Sequence, residues 1–338
     1  MQFGIIGTGS HLPRQVVTNE ELAVRLPVSA AWIAERTGVH ERRIAAPDQA
    51  TSDLAVRAAE QALEAAGICP EWLDYVVVGT STPDHPQPAT AALVQAELAA
   101  TYAAAFDVNA VCTSFVYALD VARGLLTADS GARYALVIGA DTYSRQLDYS
   151  DHRTCVLFGD GAGAVVLGPV GADEGMLSSR LLTDGRLRDL VKVEGGGSRR
   201  PLTADGLEAG EHLFTMRGRE VRRYVEETVP ELVGELLKEA KLELADIDLV
   251  VPHQANGVLV RSCFEAMEYP LDRVHMTCSS YGNTAAASVP VTLDDAVRTR
   301  GIGSGARVLL LGIGGGMSAG ASLHRWVGTG RAGQGCLR

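Results

Sequence analysis

Cys112 lies in the stretch Phe106-Asp107-Val108-Asn109-Ala110-Val111-Cys112-Thr113-Ser114-Phe115, where a strand-like run ends and a helical pattern begins. A thiol at a helix N-terminus meets free N–H groups and the positive end of the helix dipole. Both lower its pKa and favour a nucleophilic thiolate. The same position also suits an inert, buried core cysteine. His253 follows Val250-Val251-Pro252 directly, at a strand end where α/β sheets tend to place their sites. A hydrogen-bonded loop histidine is its other reading. Asn283 sits in Tyr281-Gly282-Asn283-Thr284-Ala285-Ala286-Ala287-Ser288 and opens a helix of small residues. An N-cap role explains the asparagine but not Gly282 or the small residues that follow. The run Gly312-Ile313-Gly314-Gly315-Gly316-Met317 comes straight after an apolar strand. Adjacent glycines allow close backbone approach and can aim N–H groups at an oxyanion.

The elements that must position these groups are legible in the apolar pattern. Residues 52–66 place Leu54, Ala55, Ala58, Ala59 and Leu63 on one helical face. Val76-Val77-Val78 reads as a strand covered on both faces. The chain also repeats itself. Leu73-Asp74-Tyr75-Val76-Val77 resembles Ile247-Asp248-Leu249-Val250-Val251, and Ser130-Gly131-Ala132-Arg133 recurs as Ser304-Gly305-Ala306-Arg307. Positions 73 to 247 and 130 to 304 share one offset of 174 residues, as do 119 and 293. A constant offset in constant order implies two copies of one α/β unit, residues 1–172 and 173–330, followed by a mobile tail at 331–338.

Composition narrows the function. There are 30 Lys and Arg against 41 Asp and Glu, a net charge of −11, with no basic run. Such a chain is a poor nucleic-acid partner, because phosphate attraction needs clustered positive charge. The apolar runs read as strand-length, well short of the ~20 residues that span a bilayer, and the N-terminus lacks a signal-peptide pattern. The six cysteines form no CxxC pair, which argues against a zinc or thioredoxin-type motif and for a cytoplasmic, reduced protein. Gly7-Thr8-Gly9 is followed by His11-Leu12-Pro13 and not by a third glycine and a helix, so it is not a dinucleotide fingerprint.

Taken together, the segments 7–13, Trp32-Ile33-Ala34-Glu35-Arg36-Thr37-Gly38, the Cys112 stretch, Phe158-Gly159-Asp160-Gly161-Ala162-Gly163-Ala164, Pro252-His253-Gln254-Ala255-Asn256 and Gly282-Asn283-Thr284 resemble the β-ketoacyl-acyl-carrier-protein synthase III family of the thiolase superfamily. The resemblance implies a five-layered αβαβα fold built from two similar halves and a homodimer. It implies Cys112 as the acyl-accepting nucleophile, His253 and Asn283 as donors to a malonyl-derived enolate, and backbone N–H groups of Cys112 and Gly315 as the oxyanion hole. It places Trp32, Arg36, Arg153 and Asn256 at bound CoA. The substrates it implies are an acyl-CoA and malonyl-CoA or malonyl-acyl carrier protein, with no metal, flavin or nicotinamide and no membrane.

Two departures stand out. Gln87 occupies a primer-pocket position where many members of the family carry phenylalanine. Gly257-Val258 follow the Asn256 motif where an arginine would dock a carrier protein, leaving Arg219, Arg222 and Arg223 as the docking candidates. These departures point to a specialised, secondary-metabolism member. An acyltransferase that moves the Cys112-bound acyl group to an alcohol or amine is the alternative activity. A non-catalytic partner subunit is disfavoured by the retained Cys112, His253 and Asn283.

Overall fold

The computed structural model describes residues 1–328; the expected tail at 331–338 lies outside the described residues. Strands Gln2–His11, Gly161–Val170, Ala135–Asp141, Tyr75–Gly79 and Ala104–Val108 form a five-stranded sheet in that spatial order. The first three pair antiparallel and the last three pair parallel. A second sheet has the order Leu249–Pro252, Arg307–Gly314, Ser318–Arg325 and Gly175–Thr183, with one parallel and two antiparallel pairings. The second sheet repeats the pattern of the first without its parallel edge strand. At that place a single bridge joins Val250 to Val274.

Helices Ser114–Ala128 and Ser288–Arg300 lie between the sheets. Their Phe115, Leu119, Ala122, Val289, Leu293 and Ala296 share one buried cluster with Val77 and Val137 of the first sheet and Val251 and Leu310 of the second. Helix Thr51–Ala66 packs on the outer face of the first sheet through Leu54, Ala58 and Leu63, against Val76 and Val78. Helix Gly218–Ala240 covers the second sheet. The result is the five-layered αβαβα arrangement. Val77 facing inward while Val76 and Val78 face outward explains the all-apolar strand: both faces are buried.

One expectation changes. Residues 111–128 reach a mean hydropathy of 1.3 over 18 residues, enough by length and composition for a membrane span. The sequence reading recognised no such segment. The apolarity arises because Ser114–Ala128 is a core helix with a sheet on each side, so most of its faces meet other apolar side chains.

Glycines let these layers close. A Cβ on Gly139 would fall 2.2 Å from the Ala286 carbonyl oxygen, and one on Gly163 would fall 2.5 Å from the Val291 amide. The first sheet therefore touches the chain around helix Ser288–Arg300 backbone to backbone, and Gly163 in the 158–164 motif serves packing.

Candidate active site

Cys112, His253, Ser81, Asp141 and Gly314 all lie at or just beyond the carboxyl ends of sheet strands, the usual location of sites in α/β sheets. The chain leaves strand Ala104–Val108, turns through Val111 at φ +52°, and starts its helix at Ser114. A β-branched residue at positive φ is strained, so the turn needs to be held. The Ser114 hydroxyl donates to the Val111 carbonyl at 2.6 Å and accepts from the Ala110 amide at 2.8 Å. Thr113 Oγ1 lies 3.0 Å from Ser318 Oγ, which is also 3.1 Å from the Ala110 carbonyl and 3.0 Å from that of Gly315. The nucleophile turn and the glycine loop are thus bolted together. Gly314 fits only without a side chain, because a Cβ there would lie 2.9 Å from the Cys112 amide nitrogen. Among the described residues, no carbonyl accepts from the amide N–H of Cys112 or of Gly315.

His253 is buried and fixed by its own amide, which donates to the Leu311 carbonyl at 2.7 Å. Its Nδ1 is buried without a partner. Gln254 beside it is a clamp. Its amide donates to Ser288 Oγ, its Nε2 to the Pro252 carbonyl, and its Oε1 accepts from the amides of Thr277 and Cys278. That clamp ties the His253 strand end to the segment leading into Asn283. Asn283 Oδ1 accepts from the Ala285 amide at 2.9 Å, which leaves the Nδ2 donors outward. Its backbone bridges to Phe158, with its N–H on the Leu157 carbonyl. The small-residue helix begins at Ser288, so Asn283 organises the turn before that helix and does not cap it.

Electrostatics overturn one expectation. Cys112 precedes the first helical residue by two positions and is buried. Burial, then the nearby charge of Asp141, push its thiol pKa up and not down. Desolvation also lowers His253 to about 4. The resting pair is therefore a thiol and a neutral imidazole. Burial raises Cys155 and Cys278 as well, each to about 11. Acidity does not single out Cys112; its two unaccepted N–H neighbours do.

Cys112 shares a buried cluster with Tyr143, Phe158, Phe214 and Ala285. Tyr143 and Phe158 stack at 5.0 Å between ring centroids, and Phe214 meets both edge-on at 5.5 and 4.9 Å. The Tyr143 hydroxyl lies 3.0 Å from Ser81 Oγ. Trp32 packs against this cluster from helix Ala30–Thr37 and meets His152 edge-on at 5.4 Å. Arg36 is exposed one turn further on. Arg153 is exposed and forked onto Asp151. Asn256 is spent largely on the fold. Its Oδ1 caps helix Gly257–Ala266 at the Val258 and Leu259 amides, and its Nδ2 donates to the Arg36 carbonyl. Gln87 is exposed and is not brought to Cys112 within the chain. Arg219, Arg222 and Arg223 are exposed on the first turns of helix Gly218–Ala240, and Arg222 is paired to Glu226 at 2.7 Å.

Sequence reasoning overlooked Tyr143, Phe214, Ser81 and Asp141. Only Asp141 left a signal, as a carboxylate ending an otherwise apolar strand. Among the described residues no cluster of three His, Cys, Asp or Glu side chains is arranged to hold a metal. What the site offers is a buried thiol, a neutral imidazole, an amide and two free backbone N–H groups, which suits addition to a thioester carbonyl.

Comparison with known proteins agrees with this chemistry. Residues 106–185 match the family model of 3-oxoacyl-[acyl-carrier-protein] synthase III, and residues 237–326 match the model of its C-terminal part. Acetoacetyl CoA synthase NphT7 from Streptomyces sp. (strain CL190) is 52% identical over 328 residues, covering 96% of this chain and 99% of the relative. A β-ketoacyl-[acyl-carrier-protein] synthase III from Erythrobacter litoralis is 48% identical over 329 residues, covering 96% and 100%. The crystal structure of 3-oxoacyl-[acyl-carrier-protein] synthase III from Aquifex aeolicus superposes with a TM-score of 0.88 at 37% identity, covering 96% and 100%.

Proposed function

Because the chain belongs to the 3-oxoacyl-[acyl-carrier-protein] synthase III family, we propose that it loads a short acyl group from acyl-CoA onto Cys112 and condenses it with a malonyl thioester. The observation that carries the reading is the buried Cys112 thiol held beside two amide N–H groups that no carbonyl of the chain accepts.

In the first half-reaction the Cys112 sulfur attacks the acyl-CoA carbonyl carbon as its proton passes to neutral His253. The oxyanion is held by the N–H groups of Cys112 and Gly315. The tetrahedral intermediate collapses, the CoA sulfur leaves with the proton from His253, and Cys112 carries the acyl group. In the second, the malonyl thioester loses its carboxylate as carbon dioxide, and the electron pair moves onto the thioester oxygen. His253 Nε2–H and Asn283 Nδ2 donate to that enolate. Its carbon attacks the acyl-Cys112 carbonyl, the β-ketoacyl thioester departs, and the Cys112 sulfur takes a proton from water. A histidine kept neutral by burial suits both tasks: it accepts the thiol proton and then donates without adding a charge. The reaction draws on thioesters alone, without a metal or redox cofactor.

The primer that fits is acetyl-sized. Tyr143, Phe158 and Phe214 fill the space around Cys112 with three packed rings, and a longer chain would have to displace one of them. The relative named as an acetoacetyl CoA synthase supports a two-carbon primer and a CoA-borne acceptor. Trp32, Arg36 and Arg153 at the opening suit the adenine and phosphates of CoA. We also propose a cytoplasmic homodimer joined through strand Ala104–Val108. That strand is the unpaired edge of the first sheet, and an apolar edge of this kind invites pairing.

Mass spectrometry of the intact chain after mixing with acetyl-CoA tests the reading. One acetyl group should map to Cys112, and adding malonyl-CoA should release acetoacetyl-CoA. Acetylation of a Cys112→Ala variant would move the nucleophile elsewhere.

A further inference from the structure

Asp141 ends strand Ala135–Asp141 and is fully buried. Its Oδ1 accepts from Thr80 Oγ1, the Ser81 amide and hydroxyl, and the Thr82 amide and hydroxyl, at 2.7 to 3.3 Å. Its Oδ2 accepts from the Ala286 amide at 2.8 Å. Among the described residues it has no cationic partner within ion-pair distance. A buried carboxylate with no counter-ion is costly unless donors surround it, so the six donors explain how it is tolerated. They do not explain why a charge stands there.

The two oxygens hold two different walls of the site. On the Oδ1 side, Ser81 contacts the Tyr143 hydroxyl at 3.0 Å. On the Oδ2 side, Ala286 belongs to the turn Ala285–Ala287. The first amide of that turn, Ala285 N–H, fixes Asn283 Oδ1. We infer that Asp141 is a positioning residue for condensation: it anchors the Ala285–Ala287 turn so that Asn283 presents Nδ2 to the enolate oxygen. The inference rests on the reading of Asn283 as an enolate donor.

Asp141→Asn keeps the shape of the side chain. The Oδ1 side has five donors, so the new amide nitrogen takes the Oδ2 place and faces the Ala286 N–H, donor against donor. The turn is then released while Cys112 and its N–H groups stay in place. Condensation kcat should fall by about 10- to 100-fold, within the range for losing an oriented donor. Self-acylation of Cys112 and the KM for acetyl-CoA should change little. In an Asn283→Ala background, Asp141→Asn should cost nothing more, because a residue that acts through Asn283 has nothing left to position. Thr80→Val deletes one donor and keeps the charge. It should show the same pattern at several-fold, the worth of a single hydrogen bond, and it carries the test if Asp141→Asn does not fold. Losses that multiply in the double variant, or that fall equally on acylation and condensation, overturn the inference. A native chain that acylates Cys112 yet yields no β-keto product overturns the functional reading, and this inference with it.

Discussion

Gly314→Ala tests whether close approach of the glycine loop sets the nucleophile turn. An added Cβ would fall 2.8 Å from Thr113 Oγ1, 2.9 Å from the Ala110 carbonyl oxygen and 2.9 Å from the Cys112 amide nitrogen. Ordinary contact begins at 3.4 Å, so relief demands a shift of roughly half an ångström in a tightly packed place. Two of the three atoms are backbone, and the third is a hydroxyl held 3.0 Å from Ser318 Oγ. The clash is therefore taken up by moving the Cys112 N–H. Overpacking of this kind costs about 1–3 kcal/mol of stability, and losing one oxyanion donor costs about 10²–10³ in rate. The expected result is self-acylation by acetyl-CoA about 10²-fold slower, in a chain that still folds. Gly315→Ala should be milder, since its Cβ would meet only the movable side chains of Val191 and Val111 at 3.1 to 3.3 Å. Gly303→Ala, with nothing within 4 Å, is the control. Time-resolved intact-mass measurements read all three. A Gly314→Ala chain that acylates as fast as Gly303→Ala would refute the reasoning.

Tyr143→Ala should open the aromatic trio and shift use from acetyl-CoA toward longer acyl-CoAs; an unchanged preference across a panel would place Tyr143 outside the primer pocket. His253 is held at about 4, below the ordinary 6.5 of the unfolded chain, so between those values the unfolded state binds the extra proton and folded stability falls as pH falls. His253→Gln should reduce the loss between pH 6.5 and 5 by up to about 1.4 kcal/mol per pH unit, and denaturant melts with an unchanged slope would contradict the burial argument. Arg219→Glu with Arg223→Glu should raise the KM for malonyl-carrier protein at low salt and leave acylation by acetyl-CoA untouched, because exposed charges act over about 8 Å at physiological ionic strength. Equal losses with both substrates would assign the pair to the fold.

The sequence alone determined the layers and the residue types of the chemistry. The apolar face of residues 52–66, the all-apolar Val76-Val77-Val78 and the 174-residue offset are local or periodic signals, and each is set by which faces must be buried. Cys112, His253 and Asn283 were legible for the same reason, since each stands where an apolar run gives way to a turn. Only the tertiary structure decided what those groups are like. A helix start argues for an acidic thiol, but the helix begins at Ser114, and burial from elements distant in sequence pushes the Cys112 thiol up. Asn256 fits a ligand contact by motif and becomes a cap between two helices. Tyr143, Phe158 and Phe214 gather around Cys112 from separate parts of the chain, and Asp141 joins segments 80–82 and 286. No spacing in the sequence records those meetings, because desolvation and side-chain convergence depend on how the two sheets close over the central helices.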